Sequence, residues 1–404
     1  HQLHPNNIVI KKAKGALLFD ENNNEYIDGI ASWYTCMYGH CNPYITSMVS
    51  KQMLNLDHVV FTGFTHEPAT KLAKALINIL PKNQSKLFFS DNGSTSVDVA
   101  IKMALQFHYN SGNKRTKIIA FEDGFHGDTF GAMSVSGLSV YNGPFKDFSL
   151  DVERLPVPNA ENINEVKKQL VAITTKENVA AFVYEPLVQG AAAMKMHKPE
   201  HLNELLEIAK RNDVITIADE VMTGFGKTGK NFASEYMTQL PDIMCLSKSL
   251  TGGLVPMAIT SCSEDIYNAF LGPNMEKGFF HGHTYSANPT SCTAALASIE
   301  LLNSDEIQKS INRIRLSHKA FISKIEKHPK VRNTRQQGII MAIDLNVETD
   351  QYGDLRFKLF DFYMSKGIYL RPLGNTVYVL APYIISDAQL SKIYKAIEDS
   401  FEII

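Results

Sequence analysis

The sequence predicts an α/β fold with a large domain, in which helices flank a mostly parallel sheet, and a smaller α+β domain formed by both chain ends. Short apolar runs without polar alternation are typical of strands buried on both faces of a parallel sheet. Segments with helical periodicity separate several of these runs, which is typical of α/β domains. The runs are KLFFS (86–90), KIIAFE (117–122), AAFVYE (180–185), VITIADE (214–220), DIMCLS (242–247) and PMAITS (256–261).

The chain ends have a different pattern, in which helices and strands are mixed. GALLFDENNNEYIDGI (15–30) contains two apolar stretches around Asn22–Asn24, and asparagine tolerates left-handed backbone, so a hairpin is predicted. Beyond residue 300, helical stretches that begin near residues 307, 355 and 387 enclose apolar runs at 338–345 and 375–381. We therefore predict a large domain at residues 51–298 and a small domain made of residues 1–50 and 299–404.

The composition favours a cytoplasmic protein whose partners are small molecules. Among 404 residues, 40 are basic and 42 acidic, and no long run of one sign occurs, so neither nucleic acid nor a membrane surface is an expected partner. The five cysteines form no C-x-x-C pair, which predicts neither a disulfide framework nor a zinc site. No apolar run reaches the roughly 18 residues of a membrane span, and the first residues lack the apolar segment of a signal peptide.

One segment, ADEVMTGFGKTGK (218–230), has the glycine and lysine spacing of a nucleotide-binding loop. Such a loop needs Ser or Thr after its last lysine to hold Mg²⁺, and here Asn231 follows Lys230, which argues against a nucleotide. The stronger feature is Asp219, which ends a predicted buried strand at the sheet edge where α/β proteins bind ligands. Taken alone, Asp219 either binds a ligand or caps the following turn.

A second strand end favours the ligand hypothesis. The run DIMCLS leads directly into Lys248, and a lysine in an apolar setting is suited to Schiff-base chemistry. An aspartate and a lysine at neighbouring strand ends meet the needs of pyridoxal 5'-phosphate, because the lysine binds the aldehyde and the aspartate keeps the pyridine nitrogen protonated. Asp219 and Lys248 are therefore the predicted catalytic residues.

The phosphate of such a cofactor needs hydrogen-bond donors. SDNGSTSVDVAIKMA (90–104) predicts a strand, then Gly93 and Ser94, then a helix, so backbone N–H groups would face an anion; ordinary helix capping is the alternative. In GFHGDTFGAMS (124–134), Phe125 either stacks on the pyridine ring or packs in the core, and His126 either contacts the cofactor or makes a structural hydrogen bond. No metal site is predicted at the histidines of FFHGHTYSANP.

Taken together, YEPLVQGAAAM, IADEVMTGFGKTGKNFASE, DIMCLSKSLTGG and HGHTYSANPTSC resemble the class III (fold type I) aminotransferases, which use pyridoxal phosphate. The resemblance covers nearly the whole chain. It implies that Lys248 binds the cofactor and moves protons, that Asp219 pairs with the pyridine nitrogen, and that Gly93 and Ser94 bind the phosphate. It also implies a homodimer, in which the segment Gly282, His283 and Thr284 reaches the phosphate of the other subunit.

Within the class, DGIASWYTCMYGH and GIYLRPLGNTVYVLAPYII are most similar to the biotin-pathway branch, which converts 8-amino-7-oxononanoate to 7,8-diaminononanoate. This similarity implies that Arg371 binds the far carboxylate of the substrate and S-adenosylmethionine or lysine donates the amine. An ω-amino acid or ornithine aminotransferase is the alternative. The other implied contacts are made by Trp33, Tyr34 and Tyr378 in the substrate pocket, and by Phe125, His126 and Glu185 around the cofactor.

The chain departs from the best-known biotin enzymes at several of these positions. Tyr34 replaces a Trp, Phe125 replaces a Tyr whose hydroxyl faces the substrate, Lys227 replaces an Arg and His283 replaces a Pro. These departures concern substrate choice more than the fold or the transamination chemistry.

Overall fold

The computed structural model describes residues 7–139, 142–176, 178–350 and 353–404; the opening residues on which the signal-peptide expectation partly rests lie outside this part. Within the described residues the strands form four sheets. In chain order the strands are β1 (Ile10–Lys14), β2 (Leu17–Asp20), β3 (Glu25–Asp28), β4 (Gln84–Ser90), β5 (Lys117–Phe121), β6 (Val152–Leu155), β7 (Val179–Tyr184), β8 (Val188–Gln189), β9 (Lys195–Met196), β10 (Ile215–Asp219), β11 (Ile243–Leu246), β12 (Ala258–Ser263), β13 (Val331–Gln337), β14 (Ile340–Leu345), β15 (Ile368–Tyr369) and β16 (Thr376–Val379).

Helices lie between the strands along most of the chain. They are α1 (Pro43–Asn55), α2 (Glu67–Ile79), α3 (Gly93–Asn110), α4 (Phe130–Val135), α5 (Ile163–Lys176), α6 (Pro199–Arg211), α7 (Glu264–Asn268), α8 (Pro289–Leu302), α9 (Asp305–Ile325), α10 (Leu355–Ser365) and α11 (Asp387–Ser400). Their starts follow ordinary capping chemistry: Asn42 caps α1 ahead of Pro43, and Ser386 forms a capping box at α11. No helix of the described residues is long and apolar enough to cross a membrane.

The central sheet has seven strands in the order β4-β12-β11-β10-β7-β5-β6. Pairing is parallel from β11 to β6, whereas β12 runs antiparallel to both of its neighbours. All six predicted strands are present, so the prediction of a mostly parallel sheet is confirmed. The edge strand β6 was not predicted, because Glu153 and Arg154 interrupt its two apolar residues.

The two ends of the chain meet in a second sheet. The predicted hairpin forms β2 and β3 around Asn23, whose φ of 64° is left-handed, and β15 from the C-terminal region pairs in parallel with β3. The remaining C-terminal strands form the sheet β13-β14-β16. This pairing is compatible with a small domain made from both chain ends, and we retain the boundaries at residues 50 and 298 as a proposal.

Candidate active site

A cavity of about 1420 Å³ opens at the carboxyl ends of β10 and β11, the sheet edge at which α/β proteins bind ligands. The structure brings most of the predicted site residues to its wall. Gly282, His283 and Thr284 are not among the residues that line this cavity. The predicted residues that do line it are Trp33, Tyr34, Gly93, Ser94, Phe125, His126, Glu185, Asp219, Lys248, Arg371 and Tyr378.

Asp219 and Lys248 lie at neighbouring strand ends, as the sequence predicts. Asp219 ends β10 and is in register with Cys245 of the parallel strand β11, so Lys248 emerges three residues further along the same edge. The Lys248 backbone has a left-handed φ of 52°, and Gly252 follows with a φ of 64°. A lysine in this conformation is strained, and such strain is common at functional sites.

The amine of Lys248 is buried in the protein yet faces the cavity. Its Nζ lies 5.3 Å from the centroid of the Tyr34 ring, and it forms no hydrogen bond or ion pair with any residue in the described part of the chain. Burial lowers the pKa of Lys248, while Asp219 and Glu185 oppose this effect. The arrangement favours an amine that loses its proton more readily than an exposed lysine.

Asp219 forms a buried pair with His126. The Asp219 Oδ2 lies 2.7 Å from His126 Nδ1, and Asp219 Oδ1 accepts a hydrogen bond from the Val221 backbone N–H at 3.1 Å. Burial opposes protonation of His126, but the contact with Asp219 outweighs it and raises the pKa of His126. Asp219 therefore both caps the turn and lines the cavity, and His126 makes the structural hydrogen bond that the sequence left open.

The start of α3 combines helix capping with a candidate anion site. The Thr95 N–H donates to Asn92 Oδ1 at 3.0 Å and the Ser96 N–H donates to the Asn92 carbonyl at 3.1 Å, whereas Gly93 and Ser94 line the cavity. Backbone N–H groups in a first helical turn have no partner within the helix and suit an anion. Helix capping and anion binding, the two alternatives for this segment, are thus compatible.

Two glycines keep this anion site open. A Cβ on Gly93 would lie 2.8 Å from Val221 Cγ1, and a Cβ on Gly127 would lie 2.2 Å from Ser94 Oγ. The Ser94 hydroxyl accepts a hydrogen bond from the Thr129 backbone N–H at 2.9 Å, so the second loop is fixed against the helix start. A Cβ on Gly127 would also lie 2.7 Å from Ser94 Cα, so a larger residue there would displace the helix start, whereas one at Gly93 would displace the Val221 side chain.

Glu185 lies under the loop that carries Phe125. Its Oε2 accepts from the Phe125 N–H at 3.1 Å and its Oε1 accepts from the Gly190 N–H at 3.0 Å. Burial raises the pKa of Glu185 to about 7, partly offset by His126 and reinforced by Asp219. Phe125 is 42% exposed and lines the cavity, so the core-packing alternative for this ring is wrong.

The cavity wall also carries a cation. The Arg371 guanidinium carbon lies 4.4 Å from the centroid of the Trp33 ring, and no carboxylate of the described residues forms an ion pair with it. Nearby, the Tyr34 hydroxyl donates to the Tyr378 hydroxyl at 3.1 Å. A guanidinium stacked on an aromatic ring and open to a cavity is suited to bind a carboxylate.

In the loop with nucleotide-binding spacing (218–230), the hydrogen-bond donors bind acceptors of the protein itself. The N–H groups of Gly224, Gly226 and Gly229 donate to carbonyls of Glu220, Asn231 and Gly226, respectively, and Lys230 Nζ donates to the Glu235 carbonyl at 2.8 Å. These groups are therefore not available to hold a phosphate. Lys227 is fully buried, and its Nζ donates to the Gly224 carbonyl at 2.7 Å.

Several residues that line the cavity were not identified from the sequence. Three of them, Val221, Gly127 and Thr129, lie in segments whose patterns pointed to other residues, Asp219 and Phe125 among them. A fourth, Arg356, lies in a helix that contains no recognised motif. The Gly-Asp-Thr sequence after His126 is the signal that could have indicated a second phosphate loop.

Comparison with known proteins shows the family of the chain. The sequence profile of the family "Aminotransferase class-III" matches residues 1–401. The chain therefore belongs to the class III aminotransferases and is an aminotransferase of that family.

Several relatives of the chain have the same name. The chain is 42% identical to adenosylmethionine-8-amino-7-oxononanoate aminotransferase of Synechococcus elongatus, over 98% of this chain and 95% of the relative. It is 32% identical to the crystal structure of the enzyme of that name from Methanocaldococcus jannaschii, with a TM-score of 0.91 over 98% of this chain and 94% of that chain. An amine transaminase from an uncultivated Pseudomonas species, in its pyridoxal-phosphate-bound form, has 26% identity and a TM-score of 0.92, covering 98% and 95% of the two chains.

The residues of this cavity fit pyridoxal phosphate. A buried carboxylate and a buried amine lie at adjacent strand ends, and glycine-lined space stands beside the free N–H groups of the α3 start. These features match a pyridine nitrogen, an aldehyde and a phosphate, respectively.

We expect the Glu185→Gln substitution to flatten the pH dependence of stability in the cofactor-free protein. With a pKa raised from 4.5 to about 7, the native carboxyl keeps a proton that the unfolded chain has released, so stability falls as pH rises through this window. At about 1.4 kcal/mol per pH unit, the loss amounts to roughly 3 kcal/mol. Urea unfolding at pH 5 and pH 8 measures this loss as a difference in the midpoint. The exposed Glu165→Gln variant should keep the wild-type difference in midpoint. The same difference in Glu185→Gln as in the wild type would contradict the prediction.

Proposed function

We propose that the protein is a pyridoxal-phosphate-dependent aminotransferase that converts 8-amino-7-oxononanoate to 7,8-diaminononanoate in biotin biosynthesis, with S-adenosylmethionine as amino donor. The names of its relatives support this substrate pair. The observation that carries the proposal is that one cavity is lined both by Lys248, at the sheet edge, and by Arg371, which forms no ion pair with a carboxylate of the described residues. A keto acid with a remote carboxylate is complementary to that arrangement.

The residues of the chain have distinct tasks in this proposal. When bound, the cofactor supplies an electron sink that stabilises negative charge on the substrate carbon. Lys248 Nζ holds and moves the proton at the reacting carbon, because its lowered pKa allows both protonation states. Asp219, fixed by His126, presents a carboxylate to the pyridine nitrogen, and Arg371 orients the substrate by its carboxylate.

The proposal includes a homodimer in the cytoplasm. Gly282, His283 and Thr284 do not line the cavity of their own chain, which is compatible with the expectation that they reach the phosphate in the partner's site. The cysteines of the described residues are all free thiols, in keeping with a reducing compartment. Phe125 and Glu185 complete the proposed cofactor site, and Trp33, Tyr34 and Tyr378 the substrate site.

Replacing Lys248 with Ala is expected to abolish the visible absorption band of the lysine-bound cofactor and to reduce turnover by at least about 10²- to 10⁴-fold, the range for a lost proton-transfer group. Absorption spectra and product formation measure the two effects. The matched control is Lys230→Ala, which removes the lysine that donates to the Glu235 carbonyl and should leave both readouts unchanged. Normal turnover in Lys248→Ala would end the assignment.

Replacing Arg371 with Ala is expected to raise the KM for 8-amino-7-oxononanoate by about 10- to 100-fold, because a hydrogen bond to a charged group contributes about 1.5 to 3 kcal/mol. The KM of Arg371→Lys should lie between those of the wild type and Arg371→Ala, because lysine keeps the charge but lacks the bidentate fork. Steady-state kinetics give the values, with the surface variant Arg332→Ala as control. An unchanged KM in Arg371→Ala contradicts the assigned role.

The amino donor is tested by adding 8-amino-7-oxononanoate together with either S-adenosylmethionine or lysine and measuring 7,8-diaminononanoate. We expect the product with S-adenosylmethionine. Product with lysine alone would correct the donor but retain the keto acid substrate. Turnover of ω-amino acids or ornithine, with none of 8-amino-7-oxononanoate, would replace the proposed function by that of another member of the class.

A further inference from the structure

The segment that carries Trp33 and Tyr34 has an unusual backbone. The four residues Ala31–Tyr34, none of them glycine, have φ angles of 48°, 46°, 61° and 70°. This left-handed turn brings each Cβ close to a carbonyl oxygen, so side chains other than glycine rarely adopt it in succession. Such a conformation persists only where surrounding contacts hold it.

The left-handed turn contacts both the predicted carboxylate-binding residue, Arg371, and the predicted reacting residue, Lys248. Trp33 stacks with the Arg371 guanidinium at 4.4 Å, and the Tyr34 ring centroid lies 5.3 Å from Lys248 Nζ. The Tyr34 carbonyl also accepts a hydrogen bond from the Ser249 hydroxyl at 2.9 Å. A relaxed turn would therefore displace groups at both the carboxylate-binding end and the reacting end.

The turn also packs closely on the loop that follows Lys248. A Cβ on Gly253 would lie 2.7 Å from Cys36 Sγ and 2.9 Å from the Thr35 carbonyl carbon. The Thr35 hydroxyl donates to the Ser32 carbonyl at 2.8 Å, which closes the turn from its C-terminal side. This contact fixes one side of the turn, and the other side needs a separate anchor.

The anchor is a network of Asp28, Ser32 and His40. Asp28 is fully buried at the end of β3; its Oδ2 accepts from the Ser32 hydroxyl at 2.9 Å and lies 2.8 Å from His40 Nε2. Its Oδ1 accepts from the Ile30 N–H at 3.2 Å. His40 is itself held by two backbone hydrogen bonds with Gly15. One carboxylate thus connects the first half of the turn to the end of β3 and, through His40, to Gly15 between β1 and β2.

The network has balanced charge. Burial opposes protonation of His40, but its contacts with Asp28 and Cys36 outweigh this and raise the pKa of His40 to about 10. A protonated imidazole compensates the buried carboxylate, which would otherwise be costly. The other titratable side chains near Asp28 are Tyr369 and Tyr378.

We propose that Asp28 and His40 are positioning residues, which hold Ala31–Tyr34 in its left-handed conformation through Ser32 and so set the places of Trp33 and Tyr34 in the cavity. Neither residue lines the cavity. The structural part of this inference stands without the proposed function, and only its effect on substrate binding rests on it.

The first test uses fluorescence, because Trp33 is the one tryptophan in the sequence. In the full-length protein as purified, His40→Gln and Ser32→Ala should change the acrylamide quenching constant of Trp33 by about twofold or more and shift its emission maximum. The matched control is His318→Gln, which alters another buried histidine, hydrogen-bonded to Tyr394 and remote from the turn. The control should lower the Tm without moving either fluorescence value.

The second test measures kinetics on the same variants. His40→Gln should raise the KM for the keto acid at least fivefold while the absorption of bound cofactor stays unchanged, and the double variant Asp28→Asn/His40→Gln should recover part of the loss because two neutral amides pair without a buried charge. If none of the proposed substrates turns over in the wild type, the fluorescence test alone decides.

Wild-type Trp33 quenching in folded His40→Gln and Ser32→Ala would overturn the inference, as would equal changes in His318→Gln. If His40→Gln does not fold, Ser32→Ala decides the question, because it removes only the hydroxyl that joins the turn to Asp28. A change in Trp33 quenching that Ser32→Ala produces without a loss of Tm would support the positioning role.

Discussion

The burial of the Lys248 amine is the constraint on which the rest of the site depends. Burial disfavours its charged form, and an amine without a fixed partner stays free to react only if nearby carboxylates do not pair with it directly. The Asp219 carboxylate instead contacts His126 and accepts a hydrogen bond from the Val221 N–H. The Glu185 carboxyl accepts hydrogen bonds from two backbone N–H groups. Each carboxylate thus acts on the amine at a distance and leaves Nζ facing the cavity.

The two carboxyl groups near Lys248 have different environments and so different tasks. Asp219 is paired with a histidine whose pKa is raised, and it also accepts a hydrogen bond from the Val221 N–H. Glu185 has only backbone donors, and burial raises its pKa to about 7. The Glu185 carboxyl thus titrates near neutral pH, so the negative charge beside the Lys248 amine changes with pH in that range.

The sequence allowed prediction of the sheet and of Asp219 and Lys248, because buried parallel strands are short apolar runs and a charged residue at the end of such a run is conspicuous. It did not allow prediction of β6 or β13, whose polar residues resemble loops. The left-handed turn could not be predicted either, since Ala31–Tyr34 contains no glycine and its conformation depends on Asp28 and His40. Gly282, His283 and Thr284 do not line the cavity of their own chain, so their predicted place at a partner's phosphate stays a prediction.

Lys227 shows how a departure from the related enzymes changes the electrostatics of this site without changing the fold. Its side chain is fully buried, and burial together with the charge of Lys248 lowers its pKa well below the ordinary value. Glu220, the nearest opposing charge, is already held by donors from Thr223 and Ser234. The lysine can lose a proton and still donate a hydrogen bond to the Gly224 carbonyl as a neutral amine, whereas an arginine at this position stays charged. The chain therefore avoids a second permanent positive charge near Lys248, and the proton affinity of the reactive amine is set by its burial and by Asp219 and Glu185.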